Sequence, residues 1–501
     1  MLVAIALPGC FYSVADPARK HDASVSSETC GANPRGALSL DSSMYGSAEA
    51  PLLARSSAGS LLVSGQRELN TVLSFDLNHS APPEATSALF LASFAADQSY
   101  QWLSSLRATL ALDVRSLVAT RDGGAVLCGD FQGTLSVESV SLDSVPTVAN
   151  HPAELDAYLA RFDANGRLSF LHAFGNDGYQ SGRSVVVDAD DNVILATFSE
   201  GGALDFDSCL ESADPGSGLY LTKFDPNGHC LWSQQFPMGV ADPPITLAYS
   251  ERDATLLLGG MAQAQDVFGG HQGDGNVAFV ARLQNGASGP SILGSPLAFP
   301  SNDGLGQRAV YSIATNPCDD DLVVAGAFNG NIAIGGMTYS YPFGTAPDTR
   351  GLFLSKLTPS VSAVVGEPRW TKVVVDDGAQ DVRRVASNGR GDVVMVGVIT
   401  PGSGSSGVDF GSGLLTGSLD PTDTDMFLVQ YADNGDDASP LLALRPHDSA
   451  GNKQEGSDAL LAADGSVVVS SSFFAAIDLG GGNGNELTSD GWSALLSHFK
   501  R

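Results

Sequence analysis

Two short acidic runs carry the residue types that hold hard cations. Asp188-x-Asp190-x-Asn192 and Asp319-Asp320-Asp321 each place several oxygens on one turn, as calcium prefers. Asp and Asn also favour turns with no metal present, and neither run is followed by the distant Glu that completes a helix-loop-helix calcium site. Calcium and a plain turn therefore both stand as readings of Asp188, Asp190 and Asn192, and no other cofactor is indicated. The eight histidines (His21, His79, His151, His172, His229, His271, His447 and His498) include no ligand-spaced pair, so no zinc site is read. The chain also lacks His-Glu-x-x-His, Gly-x-Ser-x-Gly and a phosphate-binding loop, the motifs that would announce common hydrolytic or nucleotide chemistry.

Six cysteines are present, at positions 10, 30, 128, 209, 230 and 318. No two lie two to four residues apart, so none forms a metal knuckle. Cys209 and Cys230 flank one strand connection and are the candidate disulfide. The run "LPGC" at 7–10, after the apolar residues 2–7, resembles the lipobox of bacterial lipoproteins. That resemblance implies a lipidated Cys10, a signal remnant over 1–10 and an envelope location, anchored to the outer membrane by lipid or extracellular. Residues 11–35 are polar and Ser-rich without apolar periodicity and read as a flexible tether. Asn78-His79-Ser80 has the form of a glycosylation acceptor, incidental in a bacterial lipoprotein.

The elements that must position any site are legible from repetition. "LYLTKFDPNGHCLW" at 219–232 recurs as "AYLARFDANGRLSF" at 157–170, "LFLASFAADQSYQW" at 89–102 and "LFLSKLTP…RW" at 352–370, with weaker copies beginning at 278 and 426 and a truncated one at 494. Each unit holds four apolar runs joined by turns. At 183–198, "RSVVVDA" is continuous and "VILATF" follows an Asp-Asp-Asn turn; at 219–236, "LYLTKFD" alternates and "CLWSQQF" follows Pro226-Asn227-Gly228. Asn and Gly tolerate the positive φ that such reversals need. This is an antiparallel four-stranded sheet, with no helical period. The third runs carry Phe90, Tyr158, Tyr220, Phe279, Phe353, Phe427 and Leu495, spaced by 68, 62, 59, 74, 74 and 68 residues. That period exceeds the common solenoid repeats and suits blades with long loops. Trp102, Phe170, Trp232 and Trp370 recur at one place on the fourth run. They read either as blade-to-blade packing, each ring contributing up to ~4–6 kcal/mol, or as an exposed ladder for stacking sugars.

The two ends are cut in complementary ways. The segment at 37–66 matches fourth, first and second strands, whereas the chain ends after a third. A closed ring explains this, with residues 37–40 expected to pair with residues 493–499 in the last blade. The expectation is an all-β, seven-bladed propeller of four-stranded antiparallel blades over 36–501, closed by its terminal strands. "SVVVDADDNVILATF…GGALDF" from Ser184 and "RVASNGRGDVVMVGV…GVDFG" from Arg384 resemble the repeat of a bacterial seven-bladed beta-propeller family. That family implies envelope or secreted proteins and no particular reaction.

Net charge is −30, from 26 basic and 56 acidic residues, a surface that repels phosphate backbones. Nucleic acid is excluded as a partner, and membrane contact is expected only through a lipid anchor. The first-strand windows "SVVVDA", "ITLAYS", "YSIATN", "RRVASN" and "ALLAAD" suggest an axis lined by apolar or small residues, with acids confined to solvated turns. Two functions follow. One is a monomeric, non-enzymatic envelope scaffold that binds an envelope protein or glycan through its channel mouth and through loops such as 266–276 and 400–413. The other is a carbohydrate-active propeller enzyme, a hydrolase or lyase, with carboxylates converging from several blades.

Overall fold

In the computed structural model, the described residues form 39 strands and no helix, and seven antiparallel sheets stand as the blades of a β-propeller, with four two-stranded hairpins beside them. The described residues run from 39 to 500, excepting 47, 68, 71, 75–78, 146–154, 177, 201–203, 207–208, 211–217, 241, 264–275, 301–306, 343–348, 359–365, 376–377, 403–406, 417–422, 447–452 and 479–485. Cys10, the 11–35 segment, Asn78 and nearly all of the 266–276 loop lie outside them.

Blade 3 shows the common plan. Gln180–Val187 is innermost, followed outward by Val193–Ser199, Gly218–Phe224 and Cys230–Pro237. The other innermost strands are Ala48–Arg55, Ala111–Ala119, Ile245–Ser250, Arg308–Thr315, Gly378–Ser387 and Gln454–Leu461, in blades 1, 2, 4, 5, 6 and 7. Each packs beside the next, and Gln454–Leu461 returns to Ala48–Arg55, so the ring closes. In blade 7 the N-terminal strand Ser39–Gly46 adds to Glu486–Lys500, with Leu40 opposite Phe499 and Gly46 opposite Ala494. The terminal pairing expected from the complementary ends is thus present. Blade 4 departs slightly, its outer edge being split into Gly289–Ile292 and Leu297–Phe299. A hairpin from blade 2, Thr134–Val137 with Val140–Asp143, pairs onto the outer strand of blade 1 and covers an otherwise open edge.

Apolar side chains alternate to both faces of each sheet, and neighbouring faces merge into seven cores, one at every seam. The repeated third-strand aromatics sit opposite small residues of the second strand: Phe90 faces Gly65, Tyr158 faces Gly129, Phe353 faces Gly326 and Phe427 faces Gly397. Close approach requires the glycine. A methyl group on Gly326 would lie 1.9 Å from the Ala309 carbonyl oxygen and 2.7 Å from the Phe353 ring.

Candidate functional site

The innermost strands share one irregularity. Their pairing register slips after Glu49, Val114, Gly182, Val310, Val382 and Gly456, each slip being a β-bulge, and only blade 4 is regular. A bulge adds an unpaired residue and re-aims its side chain. These residues leave the alternation that fills the seams and lie at the open strand edge on the ring axis. In blades 2, 3, 5, 6 and 7 they are Arg115, Arg183, Tyr311, Arg383 and Ser457, all at least partly exposed. The axis is therefore not lined by apolar and small residues alone. The sequence windows missed this because a bulge breaks the two-residue period on which they were aligned, because Arg183 precedes its window and because no window covers Arg115.

In blades 2, 3, 5 and 7 the residue after the bulge ties the ring together. Ser116 accepts the Val185 N–H at 3.2 Å, Ser184 the Leu247 N–H at 3.0 Å, Ser312 the Val385 N–H at 3.1 Å, and Asp458 the Leu53 N–H at 2.9 Å. Each bond crosses from one blade to the next, holding the bulged side chains at a common level.

Around this level the charges form two groups. Arg115 Nη2 is 3.1 Å from both Asp113 Oδ2 and Asp130 Oδ2. Gln66 donates to Asp113 at 3.1 Å and Ser181 to Asp130 at 2.5 Å. Burial works against the Arg115 charge, and Asp130 and Asp113 more than offset it, leaving the guanidinium above its ordinary range. Burial also pushes the Asp113 carboxyl up, against the pull of Arg115. Arg183 donates to the Tyr179 hydroxyl at 3.3 Å, lies 5.8 and 5.7 Å from the Tyr179 and Phe198 ring centres, and pairs with Asp242. The second group is Tyr311, Arg350 and Asp381 with Arg383 and Arg384. Arg350 donates to Asp381 at 2.7 Å, and Arg384 Nε lies 3.2 Å from the buried Asp458. Burial raises the Tyr311 hydroxyl, while Arg350 and Arg383 pull it down.

The acidic turns are placed differently from expectation. Asp188, Asp320 and Asp321 are buried rather than solvated because third-strand cations reach them, and Asp392 is buried beside Arg390 of its own turn. Arg161 pairs with Asp122 and Asp191, Arg282 with Asp253 and Asp320, and Lys356 with Asp321 and Asp433. Each therefore links its own blade to the following one. Asp188 accepts from the Asn192 and Asp190 backbone N–H groups and the Asn192 and Asn285 amides, and the Lys223 ammonium is 2.7 Å away. An ammonium thus stands beside the carboxylate that a calcium ion would use. Among the described residues, no group of three or more His, Cys, Asp or Glu side chains is arranged to hold a metal ion.

The recurring fourth-strand aromatics lie at the seams. Phe170, Trp232 and Trp370 are buried in them and Trp102 packs partly buried against one. Trp102 donates to the Ala164 carbonyl at 2.9 Å and Trp370 to Asp433 at 3.1 Å, each across to the next blade. Cys209 and Cys230 are disulfide-bonded, Cys318 is also in a disulfide, and Cys128 is a buried thiol.

No protein-family model and no curated protein matches this sequence. Solved structures do match. An ulvan lyase, a polysaccharide lyase, is 11% identical, with 89% of this chain and 94% of the lyase covered and a TM-score of 0.41. The Synechocystis apocarotenoid oxygenase is 11% identical over 91% of this chain and 92% of its own, TM-score 0.35. The leech intramolecular trans-sialidase is 10% identical over 70% and 64%, TM-score 0.35. At these identities no residue role is carried from any of them to this chain.

Proposed function

We propose that the protein is a non-catalytic binding module of the cell envelope, monomeric, holding an envelope protein or glycan at its channel mouth and neighbouring loops. The observation that carries this reading is the state of the carboxylates on the axis. Asp113 and Asp130 engage Arg115, Asp381 engages Arg350, and Asp458 engages Arg384 and the Leu53 N–H. Carboxylates fixed in ion pairs position neighbouring groups; a catalytic pair must instead exchange protons with substrate. The envelope location rests on the lipobox-like run ending at Cys10, and mass spectrometry of protein from its native host tests it: an uncleaved, unmodified N-terminus would contradict it.

One observation favours a second reading, a carbohydrate-active hydrolase or lyase. Asp113 is partly exposed at the mouth and its carboxyl is pushed up by burial, as a general acid requires. Purified protein should retain partners from a screen of peptidoglycan, polysaccharides and envelope proteins while turning over none. Turnover of any glycan, abolished by Asp113→Asn, would replace the binding reading with the enzymatic one.

A further inference from the structure

We propose that the bulged arginines of blades 2, 3 and 6, Arg115, Arg183 and Arg383, form an anion-binding site that takes the carboxylates of an acidic saccharide at the channel mouth. The inference rests on the binding reading above and names its ligand class.

Lys and Arg together are 26 of 501 residues in a chain of net charge −30. Three of the five bulged side chains named above are nevertheless arginine, at equivalent positions of their innermost strands. The arginines that knit blades together, Arg161 and Arg282, are buried with two carboxylates each, whereas Arg115 holds its two aspartates within its own blade and Arg183 pairs with one exposed aspartate. Arg383 is exposed and makes no hydrogen bond or ion pair among the described residues. Arg115 keeps 40% of its side chain exposed despite its two aspartates. The Arg183 side chain is 11% exposed and its buried Nε has no acceptor among the described residues, while its partner Asp242 is 58% exposed. A buried donor without an acceptor is one a ligand oxygen would satisfy.

A guanidinium stays charged at every physiological pH and presents a planar fork that fits a carboxylate through two parallel hydrogen bonds. Two rings share the level: Tyr179 beside Arg183, and Tyr311, which feels the Arg383 charge. A tyrosine offers an apolar face and a hydroxyl together, which suits the alternating apolar and polar faces of a sugar. The acidic exterior repels polyanions at long range, so only a ligand matched to the axial cations gains by entering.

The test is calorimetric titration of the full chain with oligogalacturonate, with a neutral malto-oligosaccharide of equal length and with sodium acetate at equal carboxylate concentration. Oligogalacturonate should bind, and the affinity should fall with added salt. Arg383→Gln should weaken it about tenfold or more, as expected for loss of one paired contact, with Arg383→Lys recovering only part. Arg383 is exposed, so an unchanged melting temperature is expected for Arg383→Gln; Arg115→Gln supplies a second variant. Equal binding of the neutral sugar, or no effect of either glutamine variant, overturns the anion assignment and leaves the binding reading intact. Acetate competing as well as the oligomer overturns the saccharide. Failure of all three probes overturns the inference, while the binding reading is decided separately by the envelope screen.

Discussion

At the scale of single residues, the buried ion pairs at the seams carry more consequence than the surface charge. Lys356 and Asp321 are both fully buried, 3.1 Å apart, with Asp433 2.6 Å from the same ammonium. Removing one member of a buried pair strands the other charge. Lys356→Met should therefore lower stability by about 3–5 kcal/mol, read as a drop in urea midpoint with an unchanged slope; a loss below about 1 kcal/mol would mean that Arg369, 3.3 Å from Asp321, suffices alone. The same logic sets a pH dependence. Burial pushes the Asp188 carboxyl up, and hydrogen bonds from Lys223, Asn285 and Asn192 more than offset it, so its pKa lies below the ordinary 3.8. A depressed carboxylate contributes stability above its unfolded value and loses it as pH falls through the folded one. Urea stability should thus decline below about pH 4, and Asp188→Asn should flatten that decline while lowering stability at pH 7. Asp458, raised by burial, acts in the opposite sense, its contribution being present at low pH and lost as pH rises. A variant curve parallel to the wild type would exclude Asp188 as a source of the acid limb.

At the scale of elements, the repeat works because turn glycines admit the next blade's neighbour. Gly166 has φ +77°, and a methyl group there would sit 2.4 Å from the Trp102 ring of blade 1. Gly166→Ala combines left-handed strain with a clash against a seam aromatic. A loss of about 1–3 kcal/mol is expected, measured as a lowered thermal midpoint. Gly435 is the control: it too has a positive φ, but a methyl group added to it would meet nothing within 4 Å. Gly435→Ala therefore meets strain alone and should cost less. Equal losses at the two sites would show that the tryptophan contact is yielding.

At the scale of the whole molecule, closure makes stability collective. Glu486–Lys500 lies between the N-terminal strand and Val467–Asp478, and its Leu495 and Phe499 belong to the core between blades 6 and 7. Deleting residues 486–501 would expose two strand edges and open two seam cores. The truncated chain should lose its cooperative thermal transition, or aggregate, rather than melt as a six-bladed remnant. A sharp transition with retained sheet signal in circular dichroism would show instead that the blades fold independently, as in an open array.

The sequence by itself determined the blade count, the order of strands within a blade and the closure of the ring. Those features are local: two-residue alternation, turn residues that tolerate positive φ and a bulky apolar residue at one place on the third strand recur from unit to unit, and repetition makes them visible. The complementary ends needed only a comparison of one repeat with another, and Leu40 opposite Phe499 is the pairing they required. Tertiary structure alone decided the character of the axis and the fate of the turn acids. Arg115 and Arg383 lie hundreds of residues apart and share a level only because the ring closes. A bulge leaves no mark in an apolar pattern beyond one residue out of phase. Asp188 and Asp321 look like solvated turn residues until Lys223 and Lys356 arrive from a strand two places along the same blade. Such burial of charge depends on which side chains converge across the sheet and the seam, and that convergence is a property of the closed ring rather than of any one repeat.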